Sequence, residues 1–220
     1  MVSQFTEICG EHADQLFMVS DEIYDEMTFD GHQVASRTVA PDVPMVTLNG
    51  FSKVHLVPGW RLGHMLWNDP TGSLAQVRDG VGKASRIRIC ASTPAQRAAA
   101  AVLDGPQDHV AATNAALRKR RDYTVKRLNS IEGISCAKPD GAFYAFPRLD
   151  VLETPAGRKR WKGDKEFVLD FLRTEKVLTV HGSGFDPHYG KGHLRLVILP
   201  DVPVLEAAFD RLERFLKGAA

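Results

Sequence analysis

The sequence predicts an α/β chain in which a mixed, mostly parallel sheet is followed by a small α+β domain. Three observations lead there. Two short continuous apolar runs, Leu16-Phe17-Met18-Val19 and Met45-Val46-Thr47-Leu48, stop abruptly at polar residues, as strands covered on both faces do. Around them apolar residues recur at helical spacing. Beyond Asp104-Gly105-Pro106 the pattern changes to short strands alternating with two amphipathic helices, the mark of helices laid on one face of a sheet.

Taken in order, Phe5, Ile8, Cys9 and Ala13 predict an opening helix with Ser3 as its N-cap. The run ending at Ser20-Asp21 is the first strand and the run ending at Asn49-Gly50 is the second. Residues 62–67 form a third. Leu74, Val77, Val81, Ala84 and Ile87 mark the inner face of a helix over 71–89, and Pro94 opens an alanine-rich helix reaching Leu103. A long helix follows, with Val110, Leu117, Val125 and Leu128 inward, ending near Glu132-Gly133. Strands are then expected at 134–137, 142–146, 177–180 and 194–199. Between and after them lie helices holding Phe167, Val168, Phe171 and Leu172, and Leu205, Ala208, Phe209, Leu212 and Leu216. Residues 151–164, with Pro155, Gly157 and Gly163, read as an exposed insert carrying a solvated Trp161. The domain boundaries are 1–105 for the large-domain part and 106–220 for the long helix and the small domain.

Composition excludes several classes. At 220 residues the chain can bury a real core, and 44% hydrophobic with 25% charged residues is ordinary for a soluble globular protein. A net charge of +1 gives no pull toward nucleic acid, and Arg118-Lys119-Arg120-Arg121 reads as a solvated helix face. The three cysteines, Cys9, Cys90 and Cys136, are odd in number and lack metal-ligand spacing, so they read as reduced thiols. No apolar run approaches the roughly 18 residues of a membrane span. The first residues lack the basic and apolar regions of a signal peptide. A cytoplasmic protein is expected, with no metal, nucleic-acid or membrane partner.

The chemistry concentrates in Asn49-Gly50-Phe51-Ser52-Lys53, with Arg61 after it and Asp21-Glu22-Ile23-Tyr24 before it. Ligands bind at the carboxyl ends of parallel strands in open α/β sheets, and both segments lie at such ends. A lysine forms an imine only as the free amine, which desolvation or a nearby cation favours; Phe51, Val54, Leu56 and Val57 supply apolar surroundings and Arg61 the charge. Pro58-Gly59-Trp60 is a turn that folds the chain back toward Lys53. The Arg61 guanidinium suits a phosphate, and Ser52 adds a hydroxyl. A buried Asp21 needs a cationic partner, which a protonated pyridine nitrogen would be. Tyr24 can hydrogen-bond a phenolic oxygen. Together these are the needs of pyridoxal 5′-phosphate (PLP). Each residue alone has a plainer reading: a surface lysine, an arginine paired with a surface acid, an aspartate capping a turn, a packed tyrosine.

These motifs, with Gly59-Trp60-Arg61-Leu62-Gly63, Arg86-Ile87-Arg88-Ile89-Cys90, Thr93-Pro94-Ala95-Gln96, Lys138-Pro139-Asp140-Gly141-Ala142-Phe143-Tyr144, His181-Gly182-Ser183-Gly184-Phe185 and His193-Leu194-Arg195-Leu196, resemble the fold-type I, class I/II PLP-dependent aminotransferases. Within them the sequence looks most like the archaeal and bacterial alanine aminotransferases. The resemblance implies that Lys53 forms the Schiff base and shuttles the proton, Asp21 pairs with the pyridine nitrogen and Tyr24 with the phenolic oxygen. It likewise implies that Ser52 and Arg61 hold the phosphate and Arg195 clamps the substrate carboxylate. It implies amino transfer between an amino acid, with alanine the candidate, and 2-oxoglutarate, in a homodimer. The resemblance also makes the chain look like the C-terminal part of the family fold, lacking the N-terminal segment that cradles the phosphate, stacks an aromatic on the ring and gives an asparagine to the phenolic oxygen. Many relatives carry a serine three residues before the lysine; here it is Gly50. Two alternatives stay open: a PLP-dependent β-lyase-type enzyme, and an inactive truncated fragment. His181, His188 and His193 have no carboxylate or cysteine set with metal-ligand spacing, and Gly182-Ser183-Gly184 lacks a dinucleotide fingerprint.

Overall fold

Strand Met45–Gly50 organises the first half of the molecule. In the computed structural model, which describes residues 7–9, 11–12, 16–29, 31 and 34–218, it is the middle of a three-stranded sheet. We label Met18–Asp21 β1, Met45–Gly50 β2 and Gly63–Asn68 β3. β1 runs parallel to β2, with Asp21 opposite Leu48, and β3 runs antiparallel, with Asn49 opposite His64 and Gly50 opposite Gly63. Residues 7–9 are helical; the Ser3 cap, Phe5 and Ala13 lie outside the described residues. Met45, Val46 and Val43 are buried, as β-branched and apolar residues of a central strand should be.

Helix α1 (Ser36–Val39) lies between β1 and β2, and α2 (Ala75–Ser85) and α3 (Thr93–Asp104) follow β3. Pro94 stands in the first turn of α3, where its missing N–H is not needed, and Gly105 ends it. Helix α4 (Asp108–Asn129) has Asp108 at its start and Lys126 and Arg127 in its last turn, each charge matched to the helix dipole. The chain divides inside α4 into two units, Met1–Ala112 and Thr113–Ala220.

The second unit holds a sheet of order β4-β6-β5: β4 (Tyr144–Ala145), β5 (Val180–His181) and β6 (Leu194–Val197), all antiparallel pairs. Helices α5 (Pro155–Arg160), α6 (Asp164–Glu175) and α7 (Val202–Lys217) complete it. Phe167, Val168 and Phe171 of α6 and Leu205, Phe209, Leu212, Phe215 and Leu216 of α7 are buried at helical spacing, together with Ala145, Leu194, Leu196 and Ile198 from the sheet. Leu117 and Leu128 of α4 are buried as expected.

Several expectations are corrected. β1 is not covered on both faces: it is the edge of its sheet among the described residues, and Val19 is 55% exposed. The expected inner face of α2 is only partly covered: Leu74, just before the helix, is buried, Val77 and Val81 are half-buried, and Ala84 and Ile87 are exposed. Residues 134–137 form no strand; Ser135 makes one bridge to Arg148. Residues 151–164 are not an exposed insert, since Trp161 is buried with its ring 4.9 Å from Phe167 and its Nε1 donating to Asp170 at 2.8 Å. Arg121 is buried rather than solvated, its Nε donating to Asp122 and its Nη1 to the Pro139 carbonyl.

Candidate active site

The parallel pairing of β1 and β2 brings their carboxyl ends to the same edge of the first sheet, and the predicted chemical groups of this unit leave from there. The β2–β3 ladder closes at Gly50 opposite Gly63, and Phe51 N–H adds a bond to the Leu62 carbonyl at 3.4 Å. Ser52, Lys53 and Arg61 therefore all belong to one loop whose two ends are fastened together. Phe51 and Val54 are buried and anchor that loop on either side of Lys53, which is half-buried. Leu56 and Arg61 both have left-handed backbones, φ 57° and 53°. Such conformations are uncommon for side-chain-bearing residues and gather at ligand-holding loops.

Lys53 and Tyr24 are brought together: Nζ lies 6.0 Å from the Tyr24 ring centroid. Arg61 is held by the turn that precedes it, its Nη1 donating to the Pro58 carbonyl at 2.9 Å, and the residue is exposed. Asp21 ends β1 as predicted, but it is exposed rather than buried. Its Oδ1 accepts from Ile23 N–H at 3.3 Å, which turns the chain toward Tyr24. Ser52 is half-buried on the Lys53 loop.

Sequence reasoning passed over the residues that tie these segments together. Asn49 Nδ2 donates to Asp25 Oδ2 at 2.8 Å while its Oδ1 accepts from Gly50 N–H at 2.7 Å, linking the Tyr24 turn to the lysine strand. Glu22 is buried, and its Oε1 accepts from Ser20 Oγ and from Ser36 N–H. An asparagine before glycine at a strand end was the visible signal for the first; the second has none, because the Ser36 N–H that Glu22 accepts lies fourteen residues on. Gly50 has a local reason to be glycine: a Cβ there would meet Leu62 O at 3.1 Å, Gly63 Cα at 3.2 Å and Ile23 Cδ1 at 3.3 Å. His55 Nδ1 lies 3.0 Å from His109 Nε2.

Arg195 is in the second unit, on β6 opposite Val180. Its Cζ is 4.5 Å from the Tyr144 ring centroid and 4.2 Å from that of Phe185, and its buried Nε has no hydrogen-bond partner among the described residues. His181 and His193 serve separate neighbours: His181 Nδ1 is 3.0 Å from Ser183 Oγ, and His193 stacks on Phe146. Among the described residues there is no group of three or more metal-binding side chains, and no helix long and apolar enough to cross a membrane.

Comparison with known proteins adds an independent finding. The family profile "Aminotransferase class I and II" matches residues 2–212. The glutamate-pyruvate aminotransferase AlaA of Haemophilus influenzae is 38% identical, over 98% of this chain and 52% of that protein. The alanine aminotransferase of Mycobacterium tuberculosis is 36% identical, over 98% and 49%. Among solved structures, an alanine aminotransferase from Pyrococcus furiosus is similar with a TM-score of 0.90 at 47% identity, over 99% of this chain and 53% of that one. The chain spans about half the length of the relatives it matches.

Proposed function

Because this chain belongs to the class I and II aminotransferase family, we propose that it acts in PLP-dependent amino transfer between alanine and 2-oxoglutarate, with Lys53 as the lysine that anchors the cofactor. One observation carries the reading. Lys53 sits within 6.0 Å of the Tyr24 ring, on a fastened loop that also bears Ser52 and Arg61, beside the strand end that bears Asp21. That donor set fits the group. Arg61 and Ser52 would hold a phosphate, Asp21 a protonated ring nitrogen and Tyr24 a phenolic oxygen.

When bound, PLP supplies an electron sink for the charge left at the substrate Cα. The chain's own residues do the rest. Lys53 Nζ would anchor the cofactor and, as a free amine, would be the base that takes and holds the substrate Cα proton. Asp21 would keep the ring nitrogen protonated by pairing with it. Arg61 would hold the phosphate end from the same fastened loop that bears Lys53. In the second unit Arg195 would bind the α-carboxylate, its buried Nε having no acceptor among the described residues. We assign cofactor binding to residues 1–105 and carboxylate binding to 106–220, in a homodimer. Free cysteines Cys9, Cys90 and Cys136 suit a reducing cytoplasm.

The test is spectroscopic first and kinetic second. Added PLP should give the absorption band of a lysine adduct, and Lys53→Ala should abolish it. Alanine with 2-oxoglutarate should then yield pyruvate and glutamate. A band that survives Lys53→Ala rules out Lys53. Pyruvate and ammonia released from a cysteine-type substrate without any oxo acid, the β-thiol leaving as sulfide, would instead mark elimination.

A further inference from the structure

Alternation along β4 and β6 sorts the second sheet into two faces. Ala145, Leu194 and Leu196 are buried on one. Tyr144 lies on the other with Arg195, because Tyr144 pairs with Val197 and is thus a diagonal neighbour of Arg195 across the ladder. Phe146 and His193 continue that face, their rings stacked at 5.1 Å with an 11° interplanar angle. Phe185, arriving from the turn after β5, stands edge-on to Phe146 at 6.3 Å.

The Arg195 guanidinium is in contact with both Tyr144 and Phe185, at 4.5 and 4.2 Å. A buried arginine is commonly held by a carboxylate or a carbonyl, which uses up its donors. Aromatic faces hold a cation through the ring quadrupole and accept none of its in-plane N–H bonds. Here Nε is buried with no acceptor among the described residues, a costly arrangement unless a ligand completes it.

We propose that Tyr144 and Phe185 are positioning residues for Arg195. They fix the guanidinium through contact with their rings, which accept none of its in-plane N–H bonds, so that its fork stays available to a ligand carboxylate, and Phe146 with His193 braces Phe185. This rests on reading Arg195 as the carboxylate-binding arginine.

Arginine Nε–H resonances of the whole chain, titrated with 2-oxoglutarate and with its uncharged dimethyl ester, test it. The Arg195 signal should move with the acid and not with the ester. Phe185→Leu should weaken that response about fivefold, and Phe185→Tyr should restore it. Phe185 is half exposed, so its truncation spares the core; Tyr144→Leu serves as the second variant and should weaken the response similarly. An Arg195 signal indifferent to the acid, or a Phe185→Leu response equal to that of the unaltered chain, overturns the proposal. The PLP band read on the same sample separates this from the function. A Lys53 adduct with an unresponsive Arg195 refutes only the positioning role. A responsive Arg195 with no adduct refutes only the cofactor reading.

Discussion

Gly50 shows how a single atom can decide a residue. The resemblance leads to the expectation of a serine there, yet two of the three atoms that a Cβ would press, Leu62 O and Gly63 Cα, are backbone atoms where the chain enters β3 and cannot swing aside. Gly50→Ser should therefore destabilise the cofactor-free chain by about 1–2 kcal/mol, read from the shift of a urea midpoint. No loss would mean that β3 yields easily. The presence of glycine was legible in the sequence, but its reason was not, because Leu62 and Gly63 press on Gly50 only once the hairpin closes. His55 is a second case. Burial, and then His109 beside it, push its pKa below the ordinary 6.5, with Glu26 acting weakly the other way. The folded chain thus binds that proton less readily than the unfolded one. The associated stability is complete above pH 6.5 and is lost as pH falls through that value toward the lower folded one. Between pH 7.5 and 5.5 the urea midpoint should fall further for the unaltered chain than for His55→Gln, and equal falls would refute the assignment.

Among the elements, α5 is where composition misled. Proline and two glycines over 151–164 read as a loop, but each fits a helix and its approach. Thr154 caps α5, its Oγ1 accepting from Gly157 N–H at 3.0 Å, and Pro155 occupies the first turn. Gly157 is buried because α5 folds back on the 150–153 turn: a Cβ there would stand 1.9 Å from the Val151 carbonyl oxygen. That close return is what carries Trp161 into the cluster of Phe167 and Phe215. Gly157→Ala should cost about 3 kcal/mol by chemical denaturation, whereas Gly163→Ala, with open space around it and an extended backbone, should be near neutral. A mild Gly157→Ala would mean that the return is loose. Helices α4, α6 and α7 were legible because one apolar stripe meets one covered face; β1 and α2 were legible as elements but not in their cover, because their apolar residues are only partly buried. The site divides in the same way. Lys53, Tyr24 and Arg61 announce themselves by local motif, whereas Asp25 with Asn49, and Tyr144 with Phe185 around Arg195, are pairings that only the sheets create.

At the scale of the molecule both units leave large apolar residues in water, Leu178 and Tyr189 in the second among them. The second closes its core over α6 and α7. In the first, Ile87 and Ile89 are each 89% exposed, and Met65, Leu66 and Leu103 are exposed as well. Ile89 adds strain: with φ 68° and ψ −68° it centres a γ-turn, closed by Cys90 N–H donating to the Arg88 carbonyl at 2.8 Å, a conformation rare for a β-branched residue. Such strain persists where surroundings over-determine it, and an isoleucine facing water has few surroundings. Clustered apolar exposure of this kind marks surfaces that meet another chain. The homodimer proposed above, if it packed residues 86–90, would account for both the exposure and the strain. Sedimentation velocity should then show association that strengthens with concentration, and the double change Ile87→Glu, Ile89→Glu should shift the chain toward monomer while leaving the Lys53 adduct band detectable. A chain that sediments as a monomer at all concentrations would sink the homodimer. A dimer indifferent to both glutamates would move the interface elsewhere on the first unit, to the exposed β3 residues Met65 and Leu66, where the same substitution can be repeated.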